Sequence, residues 1–331
     1  MTIRFITASA GSGKTTRLSE VLDEAIASGR VRPEGIVATT FTQEAAAELI
    51  ERARTRLLTS GRGQAAHQLL AARIGTVNAV CGALVTEFAF ELGLSPALRV
   101  LDESAAELEQ KRALAGVVSP QLAEELQRVR QRFDNEFDWH FEVRKIIEAA
   151  RANGLAANRL ARCAERSTDT MDACLGPCEA DGDAIDRAVR DAIESAVATI
   201  DTTLDATKIT ADYLGLLRTS AEALARGRLR WGDWSKLAGA SPAKKSASAA
   251  IPVVAAAARH LAHPRLRAEM HRLIQLLFQV AVEGLTAYQD HKRERGVIDF
   301  LDQEAYALEL LRRPDVRAAL KGQLDLVLID E

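Results

Sequence analysis

Gly11, Gly13, Lys14 and Thr15 stand together as G-S-G-K-T near the start of the chain. Glycines in such a loop let backbone N–H groups turn toward phosphate oxygens, and a helix starting there adds positive potential. Lys14 would then reach the β and γ phosphates of a nucleoside triphosphate, and the Thr15 hydroxyl would ligate Mg²⁺. The pattern G-x4-G-K-[ST] is complete except that Ala8 takes the place of its first glycine. The expected cradle comprises Ala8, Ser9, Ala10, Gly11, Ser12, Gly13, Lys14, Thr15 and Thr16. At the other end, "LDLVLIDE" places Asp330 and Glu331 directly after an apolar run. Asp330 would hold Mg²⁺, directly or through water, and Glu331 would orient or deprotonate an attacking water. An acidic pair after an apolar strand is also an ordinary solvated strand end; the loop gives it a partner. Lys14 and Glu331 are therefore the candidate catalytic residues, with ATP and Mg²⁺ as the expected cofactors.

These residues need a strand before the loop and a helix after it. "IRFIT" (3–7) reads as the strand, and an amphipathic helix follows to about Ser28, stopped by Gly29. "GIVATT" (35–40) reads as a second strand, after which Thr42 can cap a helix from Gln43 to about Ser60, ended by Gly61. "RIGTV" (73–77) is a third strand, with a helix from about Ala79 to Leu92 and a stop at Gly93. Strands alternating with helices predict a parallel sheet covered by helices. From about 102 to 290 the pattern is almost wholly helical. Its one interruption, 227–252, is rich in Gly, Ser, Ala and Pro and reads as a flexible loop. That stretch also holds Trp231, Trp234, Lys236, Lys244 and Lys245, a mixture that suits nucleic-acid contact and equally suits a solvated loop. Strand character returns only at 324–329, a continuous apolar run expected to be buried on both faces. The fold expectation is therefore α/β with a large helical insertion.

The chain has 331 residues, 47% hydrophobic and 27% charged, and a formal net charge of −3. That length suits about two domains. There is no overall basic field, so any nucleic-acid contact must come from a local patch or from neutral groups. No long apolar span is present, and the first apolar stretch is broken by the Gly-Ser loop, so the expectation is a cytoplasmic protein without a membrane partner. Cys163, Cys174 and Cys178 are spaced C-x10-C-x3-C, without the paired C-x2-C hairpins of zinc sites. Reduced thiols are the expected state.

"ASAGSGKT" resembles the first motif of superfamily 1A helicases, the UvrD/Rep group, and especially its RecB and AddA branch, in which Ala commonly replaces the first glycine. "TTFTQEAAAELIERARTRL" (39–57) is similar to the family's T-F-T-x-x-A-A-x-E-[ML]-x-x-R motif. "IGTVNAVCGALVTEFAFELGL" resembles T-x-H-[SG]-F-C and its helix, with Asn78 at the His position and Val80 at the Phe position. "VIDFLDQEAYALELL" (297–311) looks like the D-F-D-D-L segment, and "LDLVLIDE" like the opening of DExxD. The resemblance covers roughly 3–95 and 290–331, and the helical middle agrees only in placement.

The resemblance implies a P-loop NTPase (RecA-like) parallel sheet formed by 1–100 and 290–331, with an inserted all-helical subdomain at 101–289. It implies an ATP-dependent DNA helicase motor acting on single-stranded or partly duplex DNA, in DNA repair or recombination. Its candidate protein partner is a second helicase or nuclease subunit. Thr40, Phe41, Thr42, Thr76 and Asn78 fall on the family's single-strand path. There Phe41 would stack on a base while the hydroxyls reach phosphates; Phe41 as a core residue after a strand is the alternative. Asp299 falls on the first acid of D-F-D-D-L and reads as structural support. The upstream glutamine motif, the second RecA-like domain and its arginine fingers are not in this sequence. Losing such an arginine typically costs on the order of 10³–10⁵ in rate. The expectation is thus an N-terminal portion of a longer helicase with little turnover alone, and with an unpaired apolar edge at its last strand. Two other readings stand beside it: a non-catalytic nucleotide- or DNA-binding module that needs a partner chain, and an unrelated P-loop small-molecule kinase, in which "TFTQEAAAEL" has no role.

Overall fold

Among the described residues, three short runs with β-branched residues build the main sheet, and the helices between them return the chain so that all run the same way. The computed structural model describes residues 3, 5, 14–133 and 137–330, with the backbone only at Lys14 and Thr15. The expected strand at 3–7 lies outside the described residues apart from Ile3 and Phe5. In chain order come α1 (Lys14–Ala27), β1 (Ile36–Thr40), α2 (Gln43–Thr59), α3 (Gly63–Gln68), β2 (Arg73–Thr76), α4 (Val77–Glu87) and β3 (Arg99–Val100). A helical series follows: α5 (Glu103–Val117), α6 (Pro120–Phe133), α7 (Trp139–Ala152), α8 (Ala157–Leu175), α9 (Gly182–Thr199), α10 (Lys208–Ala225), α11 (Trp231–Gly239), α12 (Ala250–Ala258) and α13 (Pro264–Arg295). The chain closes with β4 (Val297–Ile298), α14 (Phe300–Arg312), α15 (Pro314–Gln323) and β5 (Leu326–Ile329). The molecule is thus mostly helical, with a small parallel sheet.

The chain divides into two compact units, Met1–Glu109 with His291–Glu331, and Gln110–Asp290. In the first, the described strands are ordered β2-β1-β5, all parallel. One face of this sheet, with Ile36, Ala38, Ile74, Leu326 and Leu328, packs on Leu22 of α1 and Leu49, Ala53 and Leu57 of α2. The end of α2 follows from local chemistry. Gly61 takes φ +75°, which a side chain would strain, and Arg62 N–H then donates to Leu57 O at 2.8 Å. A second apolar cluster joins α4 to α14 and α15 through Leu84, Val85, Phe88, Ala307, Leu310 and Leu320. Asp299 caps α14 in a reciprocal box with Asp302. The ammonium of Lys292, itself 2% exposed, sits against both carboxylates. The one buried cation thus faces two buried anions, and both carboxylates also accept backbone N–H bonds at the start of α14, which eases the cost of burying charge there.

Two expectations are corrected in this unit. Strand character does not return only at the end: β3 and β4 form a separate two-residue parallel ladder, too short to leave a periodic signal. β5 is not buried on both faces. It is one of the two outer described strands, and its alternate residues Val327 and Ile329 are 54% and 72% exposed, because α4 packs over β2 and β1 rather than over β5.

The second unit has two apolar clusters, one around α9, α10, α11 and α12 and one around α6, α7 and the middle of α13. The stretch 227–252 is no flexible loop. It forms α11, a 3-10 turn at Lys244–Ala249 and the start of α12. Trp231, Trp234 and Leu237 recur at every third residue on one face and are all buried. Trp231 donates its Nε1–H to Glu269, and the guanidinium of Arg265 lies 5.5 Å from its ring. The aromatics that suggested a nucleic-acid surface are core residues. All four cysteines are free thiols.

Candidate nucleotide and single-strand site

In a parallel sheet the C-terminal ends of all strands lie on one side, and ligands bind in the crevice beyond them. Thr40 of β1 stands opposite Thr76 of β2, and Thr39 opposite Ile329 of β5. The residues leaving these ends are Phe41 and Thr42, Val77 and Asn78, and Asp330. Asp330 remains tied to the sheet, its amide donating to Thr39 O at 2.9 Å. Sequence-predicted residues separated by nearly 300 positions thus share one edge.

Each position there has a local cause. Thr42 is the N-cap of α2, its Oγ1 accepting from Ala45 N–H at 3.1 Å, and Thr76 caps α4 by accepting from Ala79 N–H at 3.2 Å. Both hydroxyls keep their own proton for an outside acceptor. Thr40 differs from its expected role: it is 2% exposed and donates its hydroxyl proton to Thr42 O at 2.9 Å. It shapes the turn and presents no group to a ligand. The turn holds Phe41 outward, 86% exposed, so the alternative of a core phenylalanine is set aside. Asn78 lies in the first turn of α4. Its Oδ1 is buried with no partner among the described residues, an unspent acceptor beside Thr76. Val80 is buried against the β2–α4 junction, where Gly75 keeps the approach close: a Cβ there would sit 3.0 Å from that of Ala79. Burial pushes the neighbouring Cys81 thiol up from its ordinary value, which keeps it protonated and unreactive.

On the nucleotide side, the backbone turns helical at Lys14, so the first free N–H groups of α1 belong to the segment read as a phosphate cradle. Ala8 through Gly13, Glu331, and the side chains of Lys14 and Thr15 lie outside the described residues. Thr16 is described, and its Oγ1 accepts from Arg52 of α2 at 2.8 Å. Among the described residues no three His, Cys, Asp or Glu side chains gather as a metal cage. Asp330 is a half-buried carboxylate, which fits Mg²⁺: that ion takes one or two carboxylates and completes its shell with phosphate and water.

Arg52 and Glu48 fall inside the 39–57 motif but received no role from the sequence. Their i,i+4 spacing announces an ion pair within α2, and the structure has it. The link to Thr16 spans 36 residues and has no local signal.

The chain aligns with parts of much longer proteins. It is 34% identical over 140 residues to an ATP-dependent helicase/nuclease subunit of Lactobacillus acidophilus, covering 39% of this chain and 12% of that protein. To the protein of the same name from Pelotomaculum thermopropionicum it is 37% identical over 131 residues, 36% of this chain and 10% of the relative. For that of Heliobacterium modesticaldum the figures are 39% over 108 residues, 30% and 8%. The family model for the UvrD/REP helicase N-terminal domain runs through both the sheet and the helical unit, matching residues 2–331. With the strand-end motifs in register and that match spanning the described fold, the chain belongs to the UvrD/REP helicase N-terminal domain family.

Proposed function

We propose that this chain is the ATP-binding N-terminal part of an ATP-dependent DNA helicase that engages single-stranded or partly duplex DNA in the cytoplasm. The observation that carries this reading is the common edge at which β1, β2 and β5 deliver an exposed Phe41, two capping threonines and Asp330. Its fold is then a RecA-like P-loop sheet with the helical unit as an insertion.

In this reading Lys14 neutralises the terminal phosphates, Thr15 and Asp330 hold Mg²⁺, and Glu331 orients the attacking water. Bound Mg-ATP supplies the phosphoryl group whose hydrolysis drives movement. Phe41 offers a face to stack on a base, and Thr42 and Thr76 offer hydroxyl donors, which together suit binding without sequence preference. The relatives are named as one component of a helicase/nuclease, which supports a second protein chain as partner. Asn78 in place of histidine makes its contact through an amide.

The test is equilibrium binding of a fluorescent ATP analogue with Mg²⁺ to the wild type and to Lys14→Ala. A charge-assisted contact is worth about 1.5–3 kcal/mol, so affinity should fall roughly tenfold to a hundredfold. Equal binding by the two proteins, with unchanged circular dichroism, would sink the reading.

A further inference from the structure

α1 and α2 run side by side in the same direction, and polar contacts step along both. Thr16 meets Arg52 at 2.8 Å, Glu20 meets Arg56 at 3.4 Å, and Asp23 meets Arg62, just past the end of α2, at 2.8 Å. Beneath them Leu22, Leu49 and Leu57 are buried, so the two helices pack against each other. The first rung differs from the others. Its acceptor directly follows Lys14 and Thr15, and its donor is held from behind: one guanidinium nitrogen of Arg52 reaches Thr16 while another pairs with Glu48, one turn earlier on α2. Following α2 to its N-terminus leads to the Thr42 cap and Phe41.

We infer that Arg52 is a positioning residue that couples occupancy of the phosphate loop to the Phe41 turn. The two ligands it links are a nucleoside triphosphate and single-stranded nucleic acid, so this inference rests on the reading of the site given above. A shift of the first turn of α1 around phosphate moves Thr16. The fixed fork of Arg52 carries that shift to Glu48 and so to α2, which presents Phe41. Lysine cannot do the same, because a single point charge does not hold two acceptors in fixed geometry. Arg52 and Glu48 are both nearly half exposed, and exposed pairs contribute little to stability. A purely structural role would therefore leave almost no trace.

The experiment measures the affinity of a non-hydrolysable Mg-ATP analogue with and without saturating oligo(dT), for the wild type, Arg52→Ala, Arg52→Lys and the double variant Arg52→Ala/Thr16→Val. Each protein's melting temperature is recorded alongside. The wild type should show a coupling factor of about fivefold or more. Arg52→Ala should bring it close to one, Arg52→Lys should fall between, and adding Thr16→Val should change the factor no further, since the two groups act through each other. Wild-type coupling retained in Arg52→Ala overturns the inference, as does a wild-type factor of one with both ligands bound. A wild type that binds neither ligand overturns the parent reading and this one with it, and that pattern is distinct from the other two.

Discussion

Phe41 and Trp234 are both aromatic residues in stretches that sequence reading marked for nucleic acid, yet one is 86% exposed and the other 0%. The difference lies in their neighbours. Phe41 sits between Thr40, whose hydroxyl donates into the turn, and Thr42, whose hydroxyl oxygen caps α2, so the backbone is committed and the ring is left outside. Trp234 sits between Trp231 and Leu237 at three-residue spacing, and the shared face closes over all three. An aromatic beside cations is thus no indicator of a binding surface until the periodicity of the residues around it is counted.

This contrast predicts opposite responses to the same substitution. Trp234→Ala leaves a large cavity in the helical unit and should cost about 3–5 kcal/mol of stability, read as a fall in denaturant midpoint. Phe41→Ala removes no packing and should leave that midpoint unchanged. It should instead weaken oligo(dT) binding by about 1–3 kcal/mol, the worth of one stacked base. If Phe41→Ala lowers the midpoint as Trp234→Ala does, the two regions are alike and the contrast fails. If it changes neither property, the ring is exposed without being used.

The same contrast explains what could be read from the sequence. The strands at 36–40, 73–76 and 326–329, the Thr42 cap and the glycine stop after α2 were legible because each depends on residues within four or five positions. Asp299 was legible as a support for the same reason, since its capping box closes within α14. The counter-charge to that box, Lys292, and the α1–α2 rung at Arg52 were not legible: a polar contact between elements depends on where the helices dock, which no local pattern encodes. The helix at 231–239 was hidden by composition. Its two glycines, serine and alanine resemble a linker, and three apolar residues on one face outweigh them only when a second helix is there to pack against. The exposed face of β5 was misread because a continuous apolar run is the signature of a strand covered on both sides, and here the covering helix lies over the neighbouring strands.

The entry to β5 adds an ion pair to the packing of Leu326 and Leu328, which gives the smallest expected effect. Asp325, just before the strand, accepts from Arg32 Nε at 2.8 Å, from its Nη2 at 3.0 Å and from its backbone N–H at 2.9 Å. Gly35 allows this closeness, since a Cβ there would lie 2.7 Å from the carboxylate. The Arg32 side chain, and then its backbone N–H, hold the Asp325 carboxyl below its ordinary value of 3.8. A carboxyl with a lowered folded value stabilises the protein above its unfolded value, and that stabilisation is lost as pH falls through the folded value. Arg32 is half exposed, so solvent screening keeps the contribution at neutral pH small. Asp325→Asn should therefore lower the melting temperature slightly at pH 7, by an amount that stays constant down to about pH 4. Below that the two proteins should converge as the wild-type carboxyl protonates. A gap that widens in acid would mean that the Asp325 carboxylate is not stabilised by Arg32 in the folded protein.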